Sequence, residues 1–407
     1  VTKKQKNLVV FFLFNALLFF FQLLVKKIYP PLIPNFKASL DVNSAQAGLL
    51  VTLGMLGYGT ARFPSGILTD ILGCERIIIG SGFLMGLAVI LVGLAPSYIF
   101  LAVLTFIMGV STGLYITAGY TFTILLSRDN KEATFTALLE NFGGLAATVA
   151  PLTVVLFIDK LQWGWRSLFY SLGTGILLVN LLFFYVDRNQ TIEETEESNS
   201  FDFELFWQEV KESIRIFKEP ILAKFVIWAT AVGGFGFFSI TAFQSFIPSL
   251  LLEKGYSFTR ANQLFTFIFV IGLVAKPLIA WIADKIGTKR ILFFILSLNF
   301  IFYFIFTAKI GRLGIMFSLV VFGITFASHN TLINSYVLRL FPEEYQGTGF
   351  GLFSTLYTGI YSLGPVVSGF FADRFNLVIG MRISIAGIVI AVPLLISFNY
   401  LFAGKLE

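Results

Sequence analysis

Cysteine and histidine are each used once, at Cys74 and His329. One thiol cannot close a disulfide within the chain, and one thiol with one imidazole cannot make the ligand set of a zinc site, so neither a disulfide framework nor a metal centre is expected. Charge is also scarce. Asp, Glu, Lys and Arg make up 13% of the 407 residues, about half the share of an ordinary soluble domain. The strict apolar–polar alternation of a barrel strand is missing as well. No P-loop, metal-binding helix or nucleophile motif occurs, and "GTGFG" (347–351) precedes an apolar run where a dinucleotide fingerprint would follow a strand. The chain therefore reads as neither an enzyme nor a cofactor protein.

What fills the chain is long apolar runs. Residues of the AVILMFWYC set make up 57% of the sequence, in stretches of about 20 or more residues, each enough to cross ~30 Å of hydrocarbon as a helix. Twelve are read, at roughly 8–33, 46–71, 77–95, 98–126, 133–158, 165–187, 222–252, 261–283, 289–309, 312–340, 349–372 and 378–403. A lipid-exposed backbone must satisfy its own polar groups, so each is a helix and the fold class is an all-α multi-pass membrane protein. The amino-terminal run is too long for a cleaved leader and reads as the first span. Loops on the side of the termini carry more Lys and Arg than the opposite loops, which places both termini in the cytoplasm. The same bias accounts for the net charge of +6 without nucleic acid. Short loops fit a prokaryotic inner membrane, and a monomer in the lipid bilayer is expected.

Adding 214 to a residue number in the first half lands on a similar residue in the second: Pro34 on Pro248, Arg62 on Lys276, Asp70 on Asp284, Gly73 on Gly287, Arg76 on Arg290, Gly109 on Gly323 and Pro151 on Pro365. An ungapped register over five helices marks an internal duplication. The expected organisation is an N-terminal six-helix bundle (1–187), a cytoplasmic linker (188–219) and a C-terminal six-helix bundle (220–407). Within the linker, Phe201, Leu205, Val210, Ile214 and Phe217 follow near-helical spacing, as in an amphipathic surface helix. Parallel repeats of this kind place a binding site between them near the bilayer midplane and work by rocking.

The chain resembles the major facilitator superfamily of secondary transporters over essentially its whole length. That family's loop between the second and third spans appears as "GILTDILGCER" (Gly66, Asp70, Gly73, Arg76) and again as "AWIADKIGTKR" (Asp284, Gly287, Lys289, Arg290). Cys74 and Glu75 stand where the first copy would carry more base, and Ala280 replaces the first glycine of the second. The resemblance implies a latch whose carboxylates bind neighbouring helix ends and release as the halves move. "KPLIAWIADKIG" is similar to the eighth span of oxalate/formate antiporters and monocarboxylate transporters, in which a cation at the position of Lys276 holds the substrate carboxylate. Nitrate/nitrite porters carry arginines matching both Arg62 and Lys276. Lys26 stands where glycerol 3-phosphate transporters have a substrate-binding cation, although its mate, Ile240, is not basic.

Charges inside spans are costly and so mark function or a snorkelling contact. Arg62 and Lys276 are repeat mates, each eight residues before its loop aspartate. Converging on a cavity, they would make an anion site. Glu140 in the fifth span and His329, whose ordinary pKa near 6.5 suits proton transfer, are candidates for proton coupling. His329, Tyr115 (its repeat mate), Tyr357 and Tyr361 are candidate cavity residues, with helix packing as the alternative for each. The expected function is alternating-access transport of a small anion, a carboxylate, by proton symport or anion exchange; the rival is proton-coupled efflux of drugs or other organic compounds.

Overall fold

The structure is a computed structural model and describes residues 3–127, 131–189, 203–214, 218–308, 310–342 and 346–402. Among these there is no strand. Sixteen helices follow in order: α1 (Lys3–Lys27), α2 (Tyr29–Leu40), α3 (Ser44–Leu72), α4 (Cys74–Leu94), α5 (Tyr98–Leu126), α6 (Glu132–Val155), α7 (Gly164–Asn189), α8 (Phe203–Ile214), α9 (Pro220–Glu253), α10 (Phe258–Ile286), α11 (Thr288–Thr307), α12 (Arg312–Leu340), α13 (Gln346–Ser362), α14 (Gly364–Arg374), α15 (Leu377–Ile383) and α16 (Ala386–Phe402). The helix α6 runs on through a π-turn over Leu156–Lys160.

Ten helical stretches among the described residues are long and apolar enough to cross a membrane. The two further expected spans are α3, diluted by Arg62, Asp70 and its glycines, and the pair α13–α14. That pair is one span divided at Leu363, where Pro365 in the first turn of α14 supplies no backbone N–H to continue the ladder. Prolines have a similar place at the first span, which breaks at Ile28 just before Tyr29-Pro30-Pro31. The amphipathic segment of the linker forms α8; Phe201 and Phe217, expected on its apolar side, lie outside the described residues.

The chain falls into two compact units, residues 1–28 with 53–211, and residues 29–52 with 212–407. Inside each, the duplicated register reappears as geometry. In the first, α3 and α5 cross so closely that a Cβ on Gly109 would overlap the Gly54 carbonyl oxygen. In the second, the repeat mate Gly323 of α12 faces the carbonyl oxygen of Ile268, the mate of Gly54, with a virtual Cβ 2.8 Å away. Gly113 meets Tyr58 (2.5 Å) and Gly272, the mate of Tyr58, meets Ala327, the mate of Gly113 (2.8 Å). Lipid offers no hydrophobic drive for helix association, so this close backbone approach through small residues is what joins the helices.

The loop glycines have a different reason. Gly73, between α3 and α4, and Gly287, between α10 and α11, adopt φ of +85° and +105°, a region costing an ordinary L residue about 1–2 kcal/mol. Gly287→Ala is expected to lower stability by roughly that amount, read as an earlier melting transition of the purified protein. An unchanged melting temperature would count against a strained turn.

The segment 29–52 belongs to the second unit although it lies in the first half of the sequence. Its seat is specific. The N–H groups of Ser44 and Ala45, at the start of α3, donate to the two carboxylate oxygens of Asp373 at 2.8 and 2.7 Å. Thr52 Oγ1 donates to the Ser362 carbonyl at 2.6 Å and accepts from the Val366 N–H at 3.3 Å. Gly48 and Gly369 let the backbones touch, since a Cβ on either would overlap a carbonyl oxygen, of Pro365 and Ser44 respectively.

Candidate functional site

In the first unit, two cations and one ring come together. Tyr58 and Arg62 are one turn apart on α3 and so share a face, which Lys26 reaches from the last turn of α1. The Lys26 ammonium lies 4.0 Å from the Tyr58 ring centroid and the Arg62 guanidinium carbon 5.4 Å from the same centroid. The π face attracts both cations electrostatically, yet it carries no net charge, so a doubly positive cluster is left over. Both side chains are half-buried. The glycine contacts between α3 and α5 hold Tyr58 in place, and Ser65 adds a hydrogen bond to the Leu114 carbonyl at 2.6 Å.

The second unit does not repeat this platform, because Gly272 and Ile240 stand at the mates of Tyr58 and Lys26. Lys276 is half-buried on α10, between buried Ala275 and exposed Pro277. Arg62 and Lys276 thus belong to different units. In place of a cation cluster the second unit has an aromatic one. His329 on α12 is fully buried and stacks on Phe237 of α9, centroids 5.6 Å apart and planes 14° apart. Phe237 also packs on Tyr357 (6.0 Å) and Tyr361 (5.0 Å) of α13, which lie 4.8 Å from each other. The Tyr357 hydroxyl donates to Asn330 Oδ1 at 2.9 Å. The Gly233 backbone is the polar group nearest in influence to the imidazole, though neither ring nitrogen meets strict hydrogen-bond geometry among the described residues.

Tyr115 and Glu140 are both partnered inside the first unit. The Tyr115 hydroxyl, fully buried, faces the carbonyl and Oδ1 of Asn15 at 2.5 and 2.6 Å, and Asn15 in turn donates to Gly119 and Thr123 at 2.9 Å. Its polar capacity is committed to joining α1 and α5. Glu140 on α6 accepts from the Tyr120 hydroxyl of α5, so a proton donor already faces the carboxylate.

The loop carboxylates stand at helix ends, exposed. Asp284 pairs with Arg339 at 3.3 Å, both about two-thirds exposed, a contact worth little in stability and thus easily exchanged. Asp70 and Arg76 are exposed, Lys289 is half-buried near Phe398, and Arg290 donates to the Ile286 carbonyl at 3.3 Å. Gly66 has open space around it.

Sequence reasoning did not single out Tyr58, Phe237 or Asp373. Tyr58 was within reach, since it precedes Arg62 by one helical turn. Phe237 and Asp373 act through partners distant in sequence, which no local pattern reports.

The profile of the Major Facilitator Superfamily matches residues 16–365. A cis,cis-muconate transport protein of Acinetobacter baylyi is 23% identical, the match covering 85% of this chain and 83% of that protein. A probable sulfoacetate transporter of Cupriavidus necator is 25% identical over 84% and 82% of the two chains. A sialic acid transporter of Escherichia coli is 22% identical over 91% and 88%. Among solved structures, a bacterial homologue of the human lysosomal transporter Spinster, inward-facing and unoccupied, superposes with a TM-score of 0.77 at 14% identity, covering 100% of this chain and 99% of that one. That likeness concerns the fold alone.

Proposed function

Because the chain belongs to the Major Facilitator Superfamily, we propose that it is a secondary transporter carrying a small organic anion, a carboxylate, by alternating access. The observation that carries this reading is the convergence of Lys26 and Arg62 on the ring of Tyr58. Two half-buried cations with only a neutral ring between them repel each other and are poorly hydrated, so a carboxylate of net charge −1 or −2 relieves both costs at once. Tyr58 adds a flat face against which a conjugated or aromatic acid can lie. The relatives fit this chemistry, being named for muconate, sulfoacetate and sialic acid, all organic anions. Lys276, half-buried on α10, is the second half's own candidate cation.

Membrane orientation follows the basic loops, with both termini in the cytoplasm, and bacterial relatives support an inner-membrane location. Coupling is assigned to Glu140 and His329. Glu140 exchanges its proton through Tyr120, and His329 is a buried imidazole beside the tyrosines at 357 and 361. Asp70 and Asp284, with their glycine turns and neighbouring bases, form the two copies of the latch.

The test is counterflow in proteoliposomes with muconate, sulfoacetate and nicotinate, alongside thermal-shift measurements on the purified protein. At least one acid is expected to stabilise the protein and to accelerate exchange. Tyr58→Phe is expected to retain binding, whereas Tyr58→Leu loses about 0.5–2 kcal/mol of it, the worth of a partly desolvated cation–π face. A neutral sugar or an organic cation that is transported, with no acid acting, would sink the reading. The aromatic cluster of the second unit favours one rival, efflux of a hydrophobic compound stacked on Phe237 and Tyr361, which predicts transport indifferent to the charge at 26 and 62.

A further inference from the structure

On the face of the second unit opposite the chain termini's loops, a recess of about 890 Å³ opens between the end of α9, the α11–α12 turn and α15. Its lining includes Lys254, Arg312 and Arg382, with Glu253 as the acidic member. Three cations against one carboxylate is an unexpected balance for loops on the side that membrane insertion depletes of Lys and Arg. Among the described residues none of the three forms an ion pair.

Folding accounts for two of them in part. Lys254 follows the last turn of α9 and extends across to donate to the Ala308 carbonyl at 2.6 Å, closing the carboxyl end of α11. Arg382 donates through Nε to Thr307 Oγ1 at 2.8 Å at that same end. Cations at a helix carboxyl end are favourable. The contact uses one of the five N–H groups of Arg382, whose guanidinium carbon also lies 5.6 Å from the Phe304 ring centroid and which lines the recess. Burial lowers the Lys254 pKa from its usual value, because a partly desolvated ammonium is disfavoured.

Arg312 has no such account. It is the first residue of α12, where the helix dipole is positive and a cation is disfavoured. It is exposed, and no acid occupies the first turn. A side chain kept against its local electrostatic preference, facing a cavity with two further cations, has a reason outside helix stability. Glu253 lies within the influence of Lys37, so it does not cancel the recess charge by itself.

We propose that this recess is a second anion site, which takes the carboxylate groups of a small organic acid from the solvent on the side facing away from the termini. Its volume exceeds that of a small dicarboxylate, and its open mouth suits fast, weak capture. Converging positive charge at a low-dielectric cleft raises the local concentration of anions and their entry rate. The inference rests on the organic-anion reading above for its cargo, while the binding itself stands on the recess.

Equilibrium dialysis of the purified full chain with radiolabelled muconate separates the two. Two muconate ions per chain are expected in the unaltered protein. Arg312→Gln combined with Arg382→Gln should leave one, and Lys26→Gln combined with Arg62→Gln should leave the other. If the organic-anion reading fails, muconate still binds once per chain and that binding still disappears with the arginines at 312 and 382. In sided proteoliposomes the single change Arg312→Gln should raise half-saturation from the recess face about tenfold, the worth of one charge-assisted hydrogen bond, and flatten its dependence on salt. Arg312→Gln removes a disfavoured cation, so its melting temperature should hold or rise, which guards against misfolding as the cause. Loss of muconate to sulfate or chloride at equal ionic strength would indicate a site for inorganic anions and overturn the assignment of cargo. A stoichiometry and half-saturation untouched by the substitutions at 312 and 382 would overturn the site.

Discussion

Lys26→Gln together with Arg62→Gln is expected to weaken carboxylate binding by a hundredfold or more and to abolish measurable exchange. The size follows from the chemistry of the cluster. A hydrogen bond to a charged partner contributes about 1.5–3 kcal/mol, so losing two removes roughly 3–6 kcal/mol, a factor of about 10²–10⁴ in Kd. The single variants should each lose part of this, and their effects should not add, because both cations share the Tyr58 ring and any bound carboxylate. Removing one cation also relieves repulsion on the other, so a single Lys26→Gln change loses less than half of the total. Lys276→Gln is the comparison, a half-buried cation of the second unit. Thermal-shift titration with the best-binding acid measures all four. A double variant that binds the acid as tightly as the parent would falsify the anion site.

The second large effect is conformational. Gly369→Val on α14 places side-chain atoms where the Ser44 carbonyl oxygen already lies, and a backbone oxygen at a helix start cannot rotate aside. The helices must separate. With them go the Asp373 bonds to the N–H groups of Ser44 and Ala45 and the Thr52 bond to Ser362. Overpacking costs about 1–3 kcal/mol and the lost carboxylate cap about 0.5–2 kcal/mol. Together they weaken the seating of the 29–52 segment on α14 by roughly one to nearly four orders of magnitude. Asp373→Asn should act the same way, more weakly, since an amide oxygen still accepts one bond.

Ala47 is fully buried beside this contact. In a Cys74→Ser background, Ala47→Cys should react slowly with a membrane-impermeant thiol reagent, and Gly369→Val should speed that reaction at least tenfold, in keeping with the shift above. Equal labelling rates would mean that Gly369 and the Asp373 bonds do not hold the start of α3 in place. If the rate rises while transport falls, the seating of the 29–52 segment is needed for transport.

Much of this protein was legible in its sequence. Length of apolar run dictated helices, because a backbone in lipid has no other way to satisfy its polar groups. The offset of 214 marked the duplication, and what the structure adds is that the matched glycines pack alike, Gly109 on Gly54 and Gly323 on Ile268. A charge inside a span announced itself at Arg62. The glycines at 73 and 287 were visible as a repeated motif, and their positive φ supplies the reason for it.

Tertiary structure alone decided how the charges and carboxylates are partnered. The two halves share a fold but differ at the site, since Tyr58 has Gly272 for its mate and Lys26 has Ile240, so the cation platform occurs once. Tyr115 was a candidate for the cavity and is bound instead to Asn15, a hundred residues away. Segment 29–52 lies in the first repeat and packs in the second unit through Asp373. Helix formation and duplication follow from local periodicity and self-similarity, which a linear chain carries in full. Partnership depends on which side chains the packed backbones bring within a few ångströms, and that distance is set by contacts hundreds of residues apart.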